Sequence, residues 1–300
     1  MKKVISISLG SPERDHSSVM KLGNQSIEVS REGVDGKVND LIARVKELDG
    51  TVDCFGAGGY LIDFKVGDQK YKLRQAYKIK KAIIHTPIVD GGGVKDTIER
   101  NCMQNIKEEI SEFISDKPKI ALITSAIDRY GMASSLVDEG YDLLAGDLRF
   151  GLGVPKTLYS LKTVRRMARV LMPIVSKVPI QWLYPTGEKQ STNTPKHVKL
   201  FEKATIIAGD FIYTKKYSPK NLDGKVILTN TTTASDIDML KEKGVSCVIT
   251  TTPRIDGRTY GTNVFESAIT AYSEKGRPLS IDEIQQIVDE LGITPQVLKL

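Results

Sequence analysis

The chain has 300 residues, of which 40% are hydrophobic and 27% are charged, and its formal net charge is +6. This ordinary globular composition excludes a disordered chain and gives enough length for two domains. Because no stretch approaches the roughly 18 apolar residues of a membrane span and no export signal opens the sequence, we predict a soluble cytoplasmic protein without membrane contact.

The cysteines and histidines are few and widely spaced. Cys54, Cys102 and Cys247 are odd in number, and two of them lie in apolar runs, which is typical of reduced thiols in the cytosol. The three histidines are equally scattered. Since no metal-ligand spacing is visible, we predict no metal site.

The first predicted domain, residues 1–117, has a mixed α/β pattern and contains the motif GAGG at residues 56–59. A dinucleotide-binding loop would begin a helix at these glycines, because the free N–H groups of the helix hold the pyrophosphate. Instead, an alternating pattern over residues 60–66 and a Gly67-Asp68 turn predict a β-hairpin. Leu61 also stands where the dinucleotide fingerprint requires Gly or Ala. We interpret GAGG as the glycine-rich start of this hairpin.

A second glycine-rich loop, residues 90–97, follows an apolar strand and precedes a predicted long amphipathic helix over residues 94–114. A strand, a flexible loop and a helix start together present backbone N–H groups to an anion. A tight turn without a ligand is the alternative. The candidate ligand-binding residues of this loop are Asp90, Gly91, Gly92, Gly93, Lys95 and Thr97.

The polar segment SDKPK at residues 115–119 predicts a domain junction, with the second domain at 118–300. Apolar strands alternate with amphipathic helices from there on, which predicts a Rossmann-like, doubly wound and mainly parallel sheet followed by C-terminal helices. The last helix begins with a Ser280–Glu283 capping box. The tripeptide Ala-Gly-Asp occurs twice after apolar runs, at residues 145–147 and 208–210.

Ligands of open parallel sheets bind beyond the carboxyl ends of the strands. Short polar side chains are dense at those positions here, although for any single residue a surface or helix-capping role is the alternative. Glu188 and Lys189 follow an apolar strand together, and we predict that they act with Asp210 in catalysis, with the binding of a carboxylate substrate as the alternative role of this pair. Arg254 and Arg258 flank Gly257 and could hold an anion. The predicted ligand-binding residues of this set are Asp128, Asp147, Asn230, Thr231, Thr251, Arg258 and Asn263.

A basic stripe on the helix at residues 158–172 consists of Lys162, Arg165, Arg166 and Arg169. Such a stripe can bind nucleic acid, but a solvated helix face is its usual explanation, and no aromatic residues are interleaved for base stacking. We therefore do not expect a nucleic-acid partner. The expected partner is a small anionic or polyhydroxy molecule, and the chain could also form a homo-oligomer.

Six segments spread over nearly the whole chain carry distinctive patterns: ISISLGS, TPIVDGGGVKDTIER, YPTGEKQ, AGDF, ILTNTTT and ITTTPRIDGRTYGTNVFE. They resemble a bacterial family commonly labelled quinate dehydrogenase. The resemblance implies an N-terminal substrate domain, a C-terminal nicotinamide domain and NAD or NADP as cofactor. In characterised quinate and shikimate dehydrogenases a GAGG-type loop opens a helix of the second domain, whereas the GAGG here lies in the first. Their catalytic lysine segment is not found, so no catalytic residue is carried over.

Two functions are therefore open from the sequence. The first is an enzyme that acts on a small polyhydroxy or carboxylate metabolite in a cleft between the domains, with a quinate or shikimate dehydrogenase reaction as the form that the resemblance implies. The second is a non-catalytic regulatory protein that binds an anion or a nucleotide. NAD or NADP fits the first function, although no clear fingerprint for either is present.

Overall fold

The computed structural model of the chain describes residues 1–179 and 193–300, which form two compact units. The first unit consists of Met1–Thr97, the described part of Leu171–Gln190, and Gly261–Ile293. The second unit consists of Ile98–Val170, the described part of Ser191–Tyr260, and Thr294–Leu300. Each unit is built on a sheet that is mainly parallel, so the α/β fold class predicted from the sequence is confirmed.

The first unit has a five-stranded sheet in the order β2-β3-β1-β4-β7, in which only β2 runs antiparallel to its neighbour. A separate hairpin, β5–β6, follows the GAGG segment, as the alternating pattern predicts. Its elements are β1 (Lys2–Ser8), a 3-10 turn (Pro12–Arg14), β2 (His16–Leu22), β3 (Gln25–Gly33), α1 (Val38–Leu48), β4 (Cys54–Gly58), β5 (Asp63–Val66), β6 (Gln69–Lys72), α2 (Arg74–Lys80), β7 (Ile88–Val89), α3 (Gly92–Asp96), α11 (Thr262–Tyr272) and α12 (Ile281–Glu290).

The second unit has a six-stranded sheet in the order β15-β12-β11-β10-β8-β9, with β15 as its antiparallel edge strand. Its central strands are continuously apolar and buried, as strands covered on both faces are. Its elements are α4 (Cys102–Ile106), α5 (Ser111–Ile114), β8 (Ile120–Ile123), α6 (Tyr130–Asp138), β9 (Asp142–Ala145), a π-helix (Asp147–Gly151), α7 (Leu161–Val175, of which the part up to Val170 belongs here), α8 (Val198–Lys203), β10 (Ile206–Ala208), α9 (Phe211–Tyr217), β11 (Val226–Thr229), α10 (Ala234–Glu242), β12 (Cys247–Thr250), a ribbon of β13 (Arg254–Ile255) and β14 (Arg258–Thr259), and β15 (Gln296–Lys299).

The two units do not coincide with the predicted ranges 1–117 and 118–300. The reason is α11, which is buried along almost its whole length and packs on β1, β3 and β4 of the first sheet. A helix with so much apolar surface must be covered by other elements. The sheet that covers it consists of strands from the N-terminal part of the sequence. The segment Gly261–Ile293 therefore belongs to the first unit.

The long helix predicted over residues 94–114 is wrong, because the structure has three short helices there. The break begins at Thr97, whose backbone angles are φ −112 and ψ −82, outside the helical region. Thr97 and Glu99 are buried, so tertiary contacts hold this stretch in place against its helical periodicity.

Two surface features follow their predictions. Ser280 and Glu283 form the predicted capping box at the start of α12. The basic side chains of α7 are exposed, as a solvated helix face requires. None of the helices within residues 1–179 and 193–300 is both long and apolar enough to cross a membrane.

Candidate functional site

The strand order of the second sheet reverses between β8 and β10. The chain runs from β8 to β9 on one side, then passes to β10, β11 and β12 on the other. The crevice beyond such a reversal is where doubly wound sheets bind ligands. In this protein Arg129 follows β8 and Asp210 follows β10, so both lie at the reversal.

Arg129 is the centre of a buried ion-pair network at this position. Its side chain is 4% exposed. Nη1 lies 2.6 Å from Glu99 Oε1, Nη2 lies 3.2 Å from Asp210 Oδ2, and Nε lies 3.1 Å from Asp128 Oδ2. Burial opposes the positive charge, but these three carboxylates raise the pKa of Arg129 above its ordinary value. The guanidinium is therefore charged and fixed in orientation.

Glu99 and Arg129 are site residues that the sequence reasoning missed. Glu99 is fully buried, and Thr251 Oγ1 lies 3.4 Å from its Oε1, so the predicted ligand residue Thr251 supports this carboxylate. A buried carboxylate and a buried guanidinium are normally found as a pair. The available signal was the Asp128-Arg129 sequence in the loop between β8 and α6. Its partner, Glu99, lies in a segment whose pattern predicted an uninterrupted helix.

Asp147 has a carboxyl group that is only partly hydrogen-bonded. Its Oδ1 accepts from the backbone N–H of Ile127 at 2.8 Å, while Oδ2 has no hydrogen-bond partner among the described residues. The residue is 8% exposed. Burial raises the pKa of Asp147 to about 6, and Asp128 adds to this rise, although backbone N–H groups partly offset it.

Tyr213 completes this group of residues. Burial raises the pKa of its phenol, and the negative charges of Asp128, Asp210 and Asp147 raise it further. We name Asp128, Arg129, Asp147, Asp210 and Tyr213 the switch-point cluster. Asp147 and Asp210 end the two Ala-Gly-Asp segments, which lie on either side of β8 because β9 and β10 are its two neighbours.

The structure locates Asp210 and most of the other residues that the sequence predicts to be functional. Asp210, predicted to be catalytic, also caps α9, because its Oδ1 accepts from the Ile212 N–H at 3.0 Å. The other two predicted catalytic residues, Glu188 and Lys189, lie outside the described residues. The remaining predicted ligand residues of this unit, Asn230, Thr231 and Arg258, lie beyond β11 and in β14, on the β12 side of the sheet.

The glycine-rich loop at residues 90–97 is hydrogen-bonded to side-chain carboxyl groups of its own chain. Glu266 Oε2 accepts from the N–H groups of Gly93 at 2.7 Å and Val94 at 3.2 Å. Asp90 Oδ1 accepts from Gly92 N at 3.0 Å, and its Oδ2 accepts from Ile62 N at 2.7 Å. The N–H donors that we expected to face an anionic ligand are therefore bonded to Glu266 and Asp90.

The same loop admits no side chain at Gly91. This residue has φ +89, and an added Cβ would lie 2.3 Å from Thr262 Oγ1. Thr97 Oγ1 donates to the Gly93 carbonyl at 2.8 Å, which closes the turn. Asn263, also predicted to bind a ligand, donates from Nδ2 to Ser6 Oγ at 2.7 Å. The loop is thus held by contacts within the first unit.

Tyr213 and Glu266 are further residues that the sequence reasoning missed. Glu266 lies on α11 and is 7% exposed. Burial and the neighbouring Asp90 raise the pKa of Glu266 to about 8, against the opposing influence of the Val94 and Gly93 N–H groups and of Lys95. At neutral pH the group is therefore largely protonated.

The GAGG glycines lie within and just after β4, where β4 pairs with β1, and they do not begin a helix. An added Cβ at Gly58 would lie 2.6 Å from Ser8 Cβ and 2.7 Å from Ser8 Cα. We expect Gly58→Ala to destabilise the fold by about 1–3 kcal/mol through overpacking, measured by urea unfolding. Gly151→Ala is the matched control, because nothing lies within 4 Å of its added Cβ. Equal stability of the two variants would contradict this packing role.

Within the ranges 1–179 and 193–300, His, Cys, Asp and Glu side chains form no group of three or more that could hold a metal ion. All three cysteines are buried and free.

Several solved structures are similar to this chain at low sequence identity. One described as a malic enzyme (malate oxidoreductase) has 14% identity and a TM-score of 0.31, with 82% of this chain and 65% of that chain covered. The chain thus spans less than two thirds of the length of that protein. A sugar ABC transport substrate-binding protein from Bordetella parapertussis has 10% identity and a TM-score of 0.35, with coverage of 99% and 89%. An ABC transporter solute-binding protein from Agrobacterium vitis with bound D-fucose has 8% identity and a TM-score of 0.35, with coverage of 100% and 95%.

Comparison with protein families gives a clearer assignment. No curated protein sequence matches the chain. Residues 3–90 match the family described as Domain of unknown function (DUF8753). Residues 93–300, more than half of the chain, match the family described as Domain of unknown function (DUF8754), and the chain belongs to this family.

Proposed function

We propose that the chain binds a small polyhydroxylated metabolite at the switch-point cluster of its second unit. The observation that carries the proposal is the Asp147 carboxyl group, which is buried while its Oδ2 lacks a hydrogen-bond donor among the described residues. A buried polar atom without a partner costs free energy, so such atoms usually meet a ligand, an ion or water. A ligand hydroxyl placed against Oδ2 would supply the donor.

The charges around the site support hydroxyl groups over an acidic group at this position. Arg129 is the cation of the cluster, and its guanidinium is already paired with Glu99, Asp128 and Asp210. An anionic group next to Asp147 would meet like charges in a poorly hydrated place, where Coulomb repulsion is strong. Hydroxyl groups can donate to several carboxylate oxygens without that penalty.

An enzyme that acts on the same ligand is the narrower form of this proposal. The resemblance to quinate dehydrogenases supports it, and it makes quinate and shikimate the first polyols to test. Asp147, whose pKa is raised to about 6, would accept a proton from a ligand hydroxyl. The pKa of Tyr213 is raised above its ordinary value, so its phenol would stay protonated as a donor. Two titratable groups with such different protonation states are typical of acid–base sites.

NAD or NADP, the cofactor that the resemblance implies, does not fit the two loops where its pyrophosphate would be expected. The GAGG residues through Gly58 are buried in β4 rather than placed at a helix start. At the start of α6, the carboxylates around Arg129 oppose a pyrophosphate by like-charge repulsion. The proposal therefore concerns the polyhydroxy ligand, and no step is assigned to a nicotinamide.

Asp147→Asn tests the proposal. We expect isothermal titration calorimetry at pH 7.5 to detect binding of quinate, shikimate or myo-inositol to the native chain. The variant should bind roughly tenfold to a hundredfold more weakly, because a hydrogen bond to a charged group contributes about 1.5–3 kcal/mol. Affinity for the native chain should also fall as the pH drops below about 6, where Asp147 becomes protonated, and the variant should lack this dependence.

Asp142→Asn is the matched control, since Asp142 is the exposed first residue of β9, the same strand that Asp147 follows. It should bind as the native chain does. If the polyols bind equally to Asp147→Asn, the assignment of the site is wrong. If no polyol binds to the native chain at millimolar concentration, the proposed function itself is wrong.

A further inference from the structure

Arg254, the first residue of β13, carries a charge that no carboxylate within residues 1–179 and 193–300 balances. Its Nη1 donates to the Gly257 carbonyl at 2.9 Å and its Nη2 donates to Thr232 Oγ1 at 3.1 Å. Both acceptors are neutral. Within the described ranges of the chain, this guanidinium forms no ion pair.

The guanidinium is held in a fixed orientation by a buried hydroxyl network. Thr232 and Thr259 are both buried, and their hydroxyl oxygens lie 3.1 Å apart. The Thr232 N–H donates to Thr259 Oγ1 at 2.6 Å, and the Thr259 N–H donates to the Thr232 carbonyl at 2.9 Å. The β13–β14 ribbon is also fixed by the Arg254 N–H, which donates to Gln296 Oε1 at 2.9 Å. Support of this kind is typical of a binding group that is ordered before its ligand arrives.

Arg254 differs from Arg129 in its electrostatic surroundings. Carboxylates raise the pKa of Arg129, whereas partial burial lowers the pKa of Arg254. Removing a charge from water is unfavourable unless a counter-charge compensates it. A half-buried guanidinium that is hydrogen-bonded in place and has no carboxylate partner in the described part of the chain is therefore a favourable place for an anion to bind.

The position of Arg254 separates it from the switch-point cluster. Arg254 follows β12 and its Nη2 reaches the loop after β11, while the cluster lies around β8 with β9 and β10 beside it. Asn230, buried in the same β11 loop, has a side-chain oxygen without a hydrogen-bond partner among the described residues. The carboxyl edge of the sheet thus has two parts. The part beyond β8, β9 and β10 is acidic, and the part beyond β11 and β12 has hydroxyl, amide and guanidinium groups.

We propose that Arg254 is the anchor of a second site, which binds a carboxylate or a phosphate group at the carboxyl ends of β11 and β12. The planar guanidinium offers its remaining N–H donors to two oxygens of such a group, an arrangement that a lysine ammonium cannot reproduce. The site needs no polyol at the switch-point cluster, so it stands independently of the function proposed above.

Protection from phenylglyoxal tests this site on the native chain. Phenylglyoxal modifies arginine side chains, and peptide mass spectrometry would follow the reaction at Arg254 and at Arg165, an exposed residue of α7. We expect inorganic phosphate or acetate to slow modification of Arg254 in a saturable way, by about tenfold at ten times the dissociation constant. The reaction at Arg165 should not change, with chloride as the ionic-strength control. Equal effects at both residues would overturn the proposal.

Variants give a second, independent measurement. The gain in melting temperature that phosphate or acetate produces should be lost in Arg254→Gln and reduced in Arg254→Lys, which keeps the charge but not the planar fork. Arg165→Gln should keep the full gain. A purely structural Arg254 would give a lower melting temperature in Arg254→Gln with an undiminished gain from the anions, and that result would also overturn the proposal. A response to phosphate alone would identify a phosphate group as the ligand, and a response to acetate alone would identify a carboxylate.

Discussion

Glu266→Gln is expected to remove the loss of stability that ionisation of Glu266 causes in the native chain as the pH rises from about 4.5 to about 8. The folded state holds a proton on Glu266 up to a pKa of about 8, whereas the unfolded chain releases it near the ordinary value of 4.5. Because the unfolded state loses its proton first, the contribution of Glu266 to stability is greatest below pH 4.5 and is lost as the pH rises through 8. The full effect is on the order of 4–5 kcal/mol.

The groups that surround Glu266 define this pH range. Asp90 raises the pKa of Glu266, while the N–H groups of Gly93 and Val94 and the charge of Lys95 lower it. Cys54 also lies nearby, and burial together with Glu266 raises the pKa of its thiol well above the ordinary value. Thiol ionisation therefore does not enter the range between pH 4.5 and 8.

Urea unfolding at pH 5, 7 and 8.5, followed by circular dichroism, would measure the effect. Glutamine keeps a carbonyl oxygen that can accept from Gly93 and Val94, so Glu266→Gln should be similar to the native chain at pH 5 and more stable at pH 8.5. The control is Glu290→Gln at the exposed end of α12, which should keep the native pH profile. Parallel profiles of Glu266→Gln and the native chain would show that the charge of Glu266 does not act on folding.

Arg129→Met is expected to destabilise the second unit by about 3–5 kcal/mol, because removal of one partner leaves the other buried charge uncompensated. Glu99 has no exposed surface, and its Oε1 lies 2.6 Å from the Arg129 guanidinium. Glu99→Gln should cost less, since Arg129 would keep its pairs with Asp128 and Asp210. The asymmetry between the two variants follows directly from the number of partners that each charge retains.

The double variant Glu99→Gln/Arg129→Met separates the ion pair from other effects. If the two charges stabilise each other, the double variant should be more stable than the sum of the two single changes predicts. Arg165→Met on α7 is the control for loss of an exposed arginine and should change the urea midpoint little. Additive single changes would mean that the pair is energetically independent, contrary to its geometry.

Local patterns in the sequence determined much of the fold. The alternation of apolar strands and amphipathic helices after residue 118 predicted the parallel sheet of the second unit. Period-two spacing with a Gly67-Asp68 turn predicted the β5–β6 hairpin, and Ser280 with Glu283 predicted the cap of α12. These features depend on residues a few positions apart, which is why a single sequence suffices to predict them.

Only the tertiary structure decided what the glycine loop binds and how the chain divides into units. The loop at residues 90–97 has the pattern of an anion site, but its N–H groups donate to the side chain of Glu266, which is separated from Gly93 by 173 positions. No local periodicity relates two residues so distant in the chain. The same return of the chain brings α11 onto the first sheet and shifts the division between the units.

The candidate site was likewise predicted in part from the sequence and decided in part by the tertiary structure. Strand ends predicted that Asp128, Asp147 and Asp210 belong to a functional edge, because an open parallel sheet places its ligands there. The order of β9, β8 and β10 then decided that these three carboxylates belong to one cluster, in which Asp128 and Asp210 pair with the Arg129 guanidinium. Burial decided the protonation and pairing of these groups. It raises the pKa of Asp147, and it leaves Glu99 and Arg129 as a buried pair in which each charge needs the other. Strand order and burial arise from packing between distant segments, so they appear only once the chain has folded.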